Sequence, residues 1–267
     1  MKAGISTIAL RKYDVLQAID LAADAGFAGV EIWGRAPHTP DDFDADHTLK
    51  IRDRLRAKKL GVSMVGSYVN PSSPDYVQRA ADSLKIARIL GARIIRVWAG
   101  NREPQDADEQ LWAHVAKLFH DYALQAEDQG VTLAMEMHGG TLCLTPEGSL
   151  RVIEESRAPN LKLNFQVSDA RNPDLERVIG MVGDYVVNVH AQNHRPSRVE
   201  PEKMELCLVE EGLIDYDTAL SLLKGHGFDG YVEVEFLKGE FGGDEIMLDS
   251  LKRDGAYLKA LTAKYSS

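Results

Sequence analysis

Apolar and β-branched residues occur along this chain in short blocks, and stretches with apolar residues every three or four positions separate them. The blocks predict strands: AGISTIA near the N-terminus, GVEIWG at 29–34, VSMVGSY at 62–68 and RIIRVWAG at 93–100, then TLAMEMHGG, LKLNFQVSD, YVVNVHAQN and YVEVEFLKG. The intervening stretches predict helices, from DVLQAIDLAADAG at Asp14 to the C-terminal EIMLDSLKRDGAYLKALTAKY. Asp14, Ser73, Thr145 and Asp215 read as helix N-caps, with Pro146 at a first helical position. Gly26, Gly61, Gly91, Gly130 and Gly227 read as left-handed helix terminators ahead of the next strand. Eight strand–helix units average about 33 residues each, the span of a βα unit in an eight-fold barrel.

The fold expected is α/β, a single-domain (β/α)8 TIM barrel over residues 1–267. A doubly wound sheet binding a nucleotide would carry G-x-G-x-x-G or G-x-x-x-x-G-K-[ST], and neither occurs. A faint echo between GFAGVEIW at 26–33 and GFDGYVEVEF at 227–236 fits a repeated unit. The stretch 192–212 reads as one long irregular loop after the seventh strand.

Composition narrows the functions. A formal charge of -10 opposes a nucleic-acid or anionic membrane partner, because both demand clustered Lys and Arg. No apolar run approaches a membrane span, and MKAGISTIAL lacks the apolar core of a signal peptide, so a cytoplasmic protein is expected. Cys143 and Cys207 are too few for a disulfide framework and read as buried free thiols.

In a parallel barrel all strands end at one rim, where catalytic groups gather. The late strands place Glu136, Gln166, His190 and Glu235 at that rim. Alternate residues share a face, so Glu136 pairs with His138, and Glu233 with Glu235. Buried carboxylates need a cation, hydrogen bonds or water, and a Glu, His, Glu set suits Mn²⁺, Mg²⁺, Co²⁺ or Zn²⁺. Glu233 reads either as a support beneath Glu235 or as a structural acid paired with Arg96 or Lys162. Glu31 reads either as a surface ion-pair member or as a pocket residue. Trp33, Tyr68 and Trp98 at strand ends read as core or as pocket walls, and His38 in RAPHTP reads either as a solvated loop histidine or as a cap on the mouth. Arg195 or Arg198 on the long loop could meet an anionic substrate group or simply be solvated. His47, His114, His120 and His226 fall on helix faces or caps and receive no role.

Over nearly its whole length the chain resembles the xylose-isomerase-like TIM barrels, a broad group of sugar-phosphate isomerases and epimerases. The resemblance rests on GFAGVEIWG, LAMEMHGG, VVNVHAQN and GLIDYDTALSLLKGHGFDGYVEVEF. It implies a divalent metal held by Glu136, His190 and Glu235, with either Gln166, where the family carries aspartate, as a neutral oxygen ligand, or Asp169, where it carries histidine, reaching in, or else a metal-poor site. Gln192 and Asn193 likewise replace the more charged residues that often follow the strand-seven histidine. The resemblance also implies a catalytic pair, Glu136 and Glu235, moving a proton next to a carbonyl while the metal and His138 stabilise an enediolate. The expected substrate is a small carbohydrate, with the oligomeric state left open, a homo-oligomer included. A dehydratase of a keto-polyol on the same site, and a non-catalytic sugar-binding barrel with a weakened metal site, stand as alternatives. An endonuclease-IV-like activity would need clustered histidines and a basic face, which this chain lacks.

Overall fold

The computed structural model describes residues 1–171, 173–239 and 243–266. Eight parallel strands close into a barrel. They are β1 (Lys2–Ser6), β2 (Gly29–Trp33), β3 (Gly61–Val69), β4 (Ile94–Val97), β5 (Thr132–Glu136), β6 (Leu161–Phe165), β7 (Val186–Ala191) and β10 (Tyr231–Val234). β10 pairs with both β7 and β1, so the segments that echo one another become β2 and β10, the two neighbours of β1. The helices are α1 (Val15–Asp24), α2 (Ala45–Lys58), α3 (Tyr76–Leu90), α4 (Glu109–Glu127), α5 (Pro146–Ser156), α6 (Leu175–Val182), α7 (Tyr216–Gly225) and α8 (Asp244–Lys264). The structure is thus the single (β/α)8 TIM barrel that the periodicity predicts.

Alternation along the strands sorts two chemistries. Val30, Ile32, Ile95, Val97, Leu133, Met135, Leu163, Phe165, Val189, Val232 and Val234 belong to the continuous apolar core. The residues between them, which point the other way, are Glu31, Arg96, Glu136, Asn164, Asn188, His190 and Glu233, all buried. The barrel interior is therefore a packed polar column wrapped in an apolar layer.

Three local expectations are corrected. Helix α3 starts at Tyr76 behind Asp75, so Ser73 does not cap it; the Asp75 carboxylate binds Arg79 one turn on. Helix α2 ends on Lys59 in the left-handed region (φ 57°), and Gly61 already belongs to β3. Gly61 is small for another reason: a Cβ there would stand 2.3 Å from the Tyr231 hydroxyl. The stretch after β7 is not irregular, because Asn193–Pro196 (β8) and Met204–Cys207 (β9) form an antiparallel hairpin. Its root is Asn193, whose amide donates to the carbonyls of Val209 and Ile214 and accepts from the amides of His194 and Ile214.

Helix α8 meets this root through Asp254, which accepts from the Val209 amide at 2.9 Å and leaves Oδ2 without a partner. Burial pushes the Asp254 carboxyl up to about 7. An unfolded aspartate titrates near 4, so between roughly pH 4 and 7 the folded chain holds the extra proton and stability falls as pH rises. Asp254→Asn should gain about 2 kcal/mol over the parent at pH 8 and nothing at pH 4. Urea unfolding of both proteins at the two pH values checks this; equal gains at both would remove the ionisation account.

Candidate active site

Glu136 closes β5, His190 lies near the end of β7, and Glu235 follows β10 directly, so the barrel brings three remote residues together. One oxygen of each carboxylate and one ring nitrogen of His190 lie within 4.8 Å of one another. His190 Nδ1 is 3.5 Å from Glu235 Oε1 and 3.9 Å from Glu136 Oε1. All three side chains are buried, Glu235 being the most accessible at 4%.

The other face of His190 meets Glu31, with Nε2 at 3.0 Å from Oε2. Glu31 is therefore neither a surface acid nor loosely held. Its Oε1 lies 3.4 Å from Arg96, against β3 at Gly66, where a Cβ would stand 2.0 Å away. Arg96 also reaches Glu136 Oε2 at 2.9 Å and lies against the Tyr68 and Trp98 rings. Glu233 pairs with neither Arg96 nor Lys162: it accepts from Ser63 at 2.5 Å and from Asn188 at 2.7 Å.

Inside the barrel, among the described residues, four carboxylates share one volume with a single permanent cation, Arg96. Proton affinities record the imbalance. Burial opposes ionisation of Glu31, yet Arg96 and His190 outweigh it and hold this carboxyl down at about 2. Burial, with the neighbouring Glu31 charge, lifts Glu233 to about 7. Glu235 rises to about 8 because burial and the Glu136 charge exceed the attraction of His190. Burial works against a charged His190, but Glu235 and Glu31 raise it to about 10. The cluster demands positive charge, which bound protons or a bound cation can supply. Two carboxylates and an imidazole form a donor set that fits a divalent ion.

Gln166 lies at the acid cluster, where the sequence places it. Both ends of its amide are satisfied with the nitrogen toward Glu235 (3.1 Å) and Glu136 (3.3 Å) and the oxygen accepting from Gln192 (2.9 Å). In that orientation it crosslinks the acids as a donor; with the amide turned over, Oε1 faces the same acids 3.3 Å from His190 Nδ1, where the expected oxygen ligand would stand. Asp169 does not reach inward; it is exposed and accepts from the Arg171 amide.

His38 is corrected too. It is fully buried, Nδ1 lies 2.9 Å from the Thr7 hydroxyl, and Nε2 donates to the Tyr13 carbonyl at 3.0 Å. Both nitrogens are engaged, so His38 ties two loops together and offers nothing to a substrate. His138 stands half-buried beyond the end of β5, edge-on to Trp98 with ring centroids 5.0 Å apart. Tyr68 stacks on Trp98 and accepts from the Trp33 indole at 2.8 Å, while Arg35 lies over its ring. Tyr68 and Trp98 line an outer hollow of about 370 Å³, and Trp33 supports them from behind. Gln166 joins the acid cluster to a second cavity of about 410 Å³ between the loops after β5 and β6. Arg198 is exposed in the turn of the β8–β9 hairpin, and Arg195 is held by Glu205 and Glu211. Sequence reasoning offered Arg96 only as a possible partner of Glu233 and missed Ser63, Asn164 and Asn188; an arginine amid the apolar RIIRVW strand was the available signal for a central role.

Cys143 and Cys207 are free and buried, and burial pushes the Cys143 thiol up to about 12. Among the described residues no helix is long and apolar enough to cross a membrane.

A family model described as xylose isomerase-like TIM barrel matches residues 19–260. The chain belongs to that family. A 3-dehydroshikimate dehydratase of Bacillus anthracis is 24% identical over 171 residues, covering 62% of this chain and 61% of that protein. Among solved structures of this barrel type, the IOLI protein with a bound zinc atom matches with a TM-score of 0.82 at 16% identity, both chains covered at 100%. A xylose isomerase-like protein of Mycobacterium smegmatis in complex with magnesium matches at 0.77 and 15% identity, over 100% of this chain and 98% of that one. Structures named for sugar epimerases also match. Some of these similar proteins are thus named for enzymes, a dehydratase and sugar epimerases, and two structures are described with magnesium or zinc.

Proposed function

We propose that this protein is a divalent-metal-dependent isomerase or epimerase of a small polyhydroxylated carbonyl compound. The observation that carries this reading is the convergence of Glu136 and Glu235 on His190 Nδ1 in a buried, charge-deficient cluster. These three residues would hold the ion. A divalent cation there polarises a substrate carbonyl and makes the adjacent C–H more acidic.

The chain's own groups supply the rest. Glu235 and Glu136 stand on either side of His190 Nδ1, placed to act as an acid–base pair. One removes the proton next to the carbonyl, and the other returns it to the opposite face or the neighbouring carbon. Gln166 and Gln192 hold the Glu235 carboxylate in place. Arg96, fixed beside Glu136, supplies positive charge close to where negative charge develops. Tyr68, Trp98 and His138 form a wall suited to the apolar face of a sugar ring, and a carbohydrate is the substrate class proposed.

The relationship to a 3-dehydroshikimate dehydratase favours a second reading, loss of water from a β-hydroxy ketone by the same proton abstraction. One experiment separates the two. Protein supplied with Mn²⁺, Mg²⁺, Co²⁺ or Zn²⁺ is incubated in deuterium oxide with ketoses, inososes and 3-dehydroshikimate. Deuterium uptake with the carbon skeleton and oxygen count retained is the expected result. Loss of 18 mass units with a new conjugated absorbance marks the dehydratase, and neither signal across the panel removes the enzymatic reading.

A further inference from the structure

We propose that Glu31 is a positioning residue, fixing the ring of His190 so that Nδ1 is the nitrogen presented to Glu136 and Glu235. The inference rests on the metal-dependent reading above and deepens it. His190 is fully buried between two pairs of acids and could in principle face either with a lone pair. On binding a cation the imidazole gives up one of its two protons and keeps one N–H, and a carboxylate accepts but does not donate. The 3.0 Å contact from Nε2 to Glu31 Oε2 therefore assigns the proton to Nε2 and leaves Nδ1 free to bind a cation.

Glu31 is itself immobilised. Its Oε1 meets Arg96, and the carboxylate occupies the space left by the missing side chain of Gly66, so it cannot swing toward Glu235. Glu31, His190 and Glu233 also lie within 4.8 Å of one another, which could suggest a second, deeper cation site. Glu233 argues against it, being committed to Ser63 and Asn188, while Glu31 is committed to Arg96.

Co²⁺ is the probe. The parent chain should bind one Co²⁺, and Glu31→Gln, which keeps the shape but loses the charge, should bind it about 10- to 100-fold more weakly. Glu31→Asp, which keeps the charge but draws it back by one carbon, should also weaken binding. Metal-free Glu31→Gln should keep a cooperative melt, at a lower temperature because Arg96 and His190 lose a charged partner, so the Co²⁺ comparison is made on folded protein. Long-range ¹H–¹⁵N spectra of the Zn²⁺-loaded parent should show His190 protonated at Nε2 and metallated at Nδ1, a readout needing no variant. Unchanged Co²⁺ affinity in Glu31→Gln, metal on Nε2, or two ions per parent chain with one lost on substitution would each overturn the proposal while leaving the metal reading intact. A parent chain that binds no Co²⁺ overturns both.

Discussion

Glu235→Gln should lower turnover by about a thousand-fold while the protein stays folded. The substitution keeps the side chain's shape and an acceptor oxygen for Gln192, whose amide now donates to Glu235 at 3.0 Å. What disappears is the carboxylate proposed to take and return the substrate proton, which is also one of the three groups that would hold the ion. Removing one acid from a crowded cluster also relieves repulsion, so the melting temperature should hold or rise, a gain commonly seen where function has imposed strain. Deuterium wash-in with the responsive substrate, alongside thermal melting, checks both halves. If the variant keeps a tenth of the parent rate, Glu235 is not the proton-transfer group.

The second large effect concerns stability. Arg96→Met should cost about 3–5 kcal/mol, because Glu31 and Glu136 then lose their permanent countercharge in a dry interior. Methionine approximates the length of the arginine stem and can still pack against Tyr68 and Trp98, so the loss reports charge more than volume. A drop of about 10 °C in melting temperature corresponds to that cost for a domain of this size. Adding Glu136→Gln should recover part of it, since groups in direct contact do not contribute independently. A single-variant loss below about 1 kcal/mol, or no recovery in the double variant, would contradict the charge-balance account of the barrel interior.

Periodicity exposed the barrel because alternation and helix punctuation are local signals, and most of the caps and terminators fell where the residues indicated. Glu136, His190 and Glu235 were legible for a related reason: charged groups interrupt strands that are otherwise apolar, and the closed topology dictates that they meet. The network around them was not. Arg96 is placed by strands four, two and five together, and nothing near RIIRVW reveals that its partners are Glu31 and Glu136. His38 misled because its ties to Thr7 and Tyr13 run to the preceding βα loop, making a loop histidine look solvated. Gln166 sits where sequence put it, but its amide orientation depends on Gln192, Glu235 and Glu136 at once. The β8–β9 hairpin was hidden by the charges and prolines of 192–212, which give no alternating pattern for a short exposed ribbon.

That ribbon is fastened at its base, by Asn193 and by Asp254 of α8. Asn193 spends its whole amide on the two ends of the excursion, and a Cβ on Gly212 would strike it at about 2.1 Å, so the base admits little variation. Outboard of it, Val199 is 88% exposed. The anchoring thus sits at the base, and the exposed tip around Val199 is where substitution should disturb the barrel least.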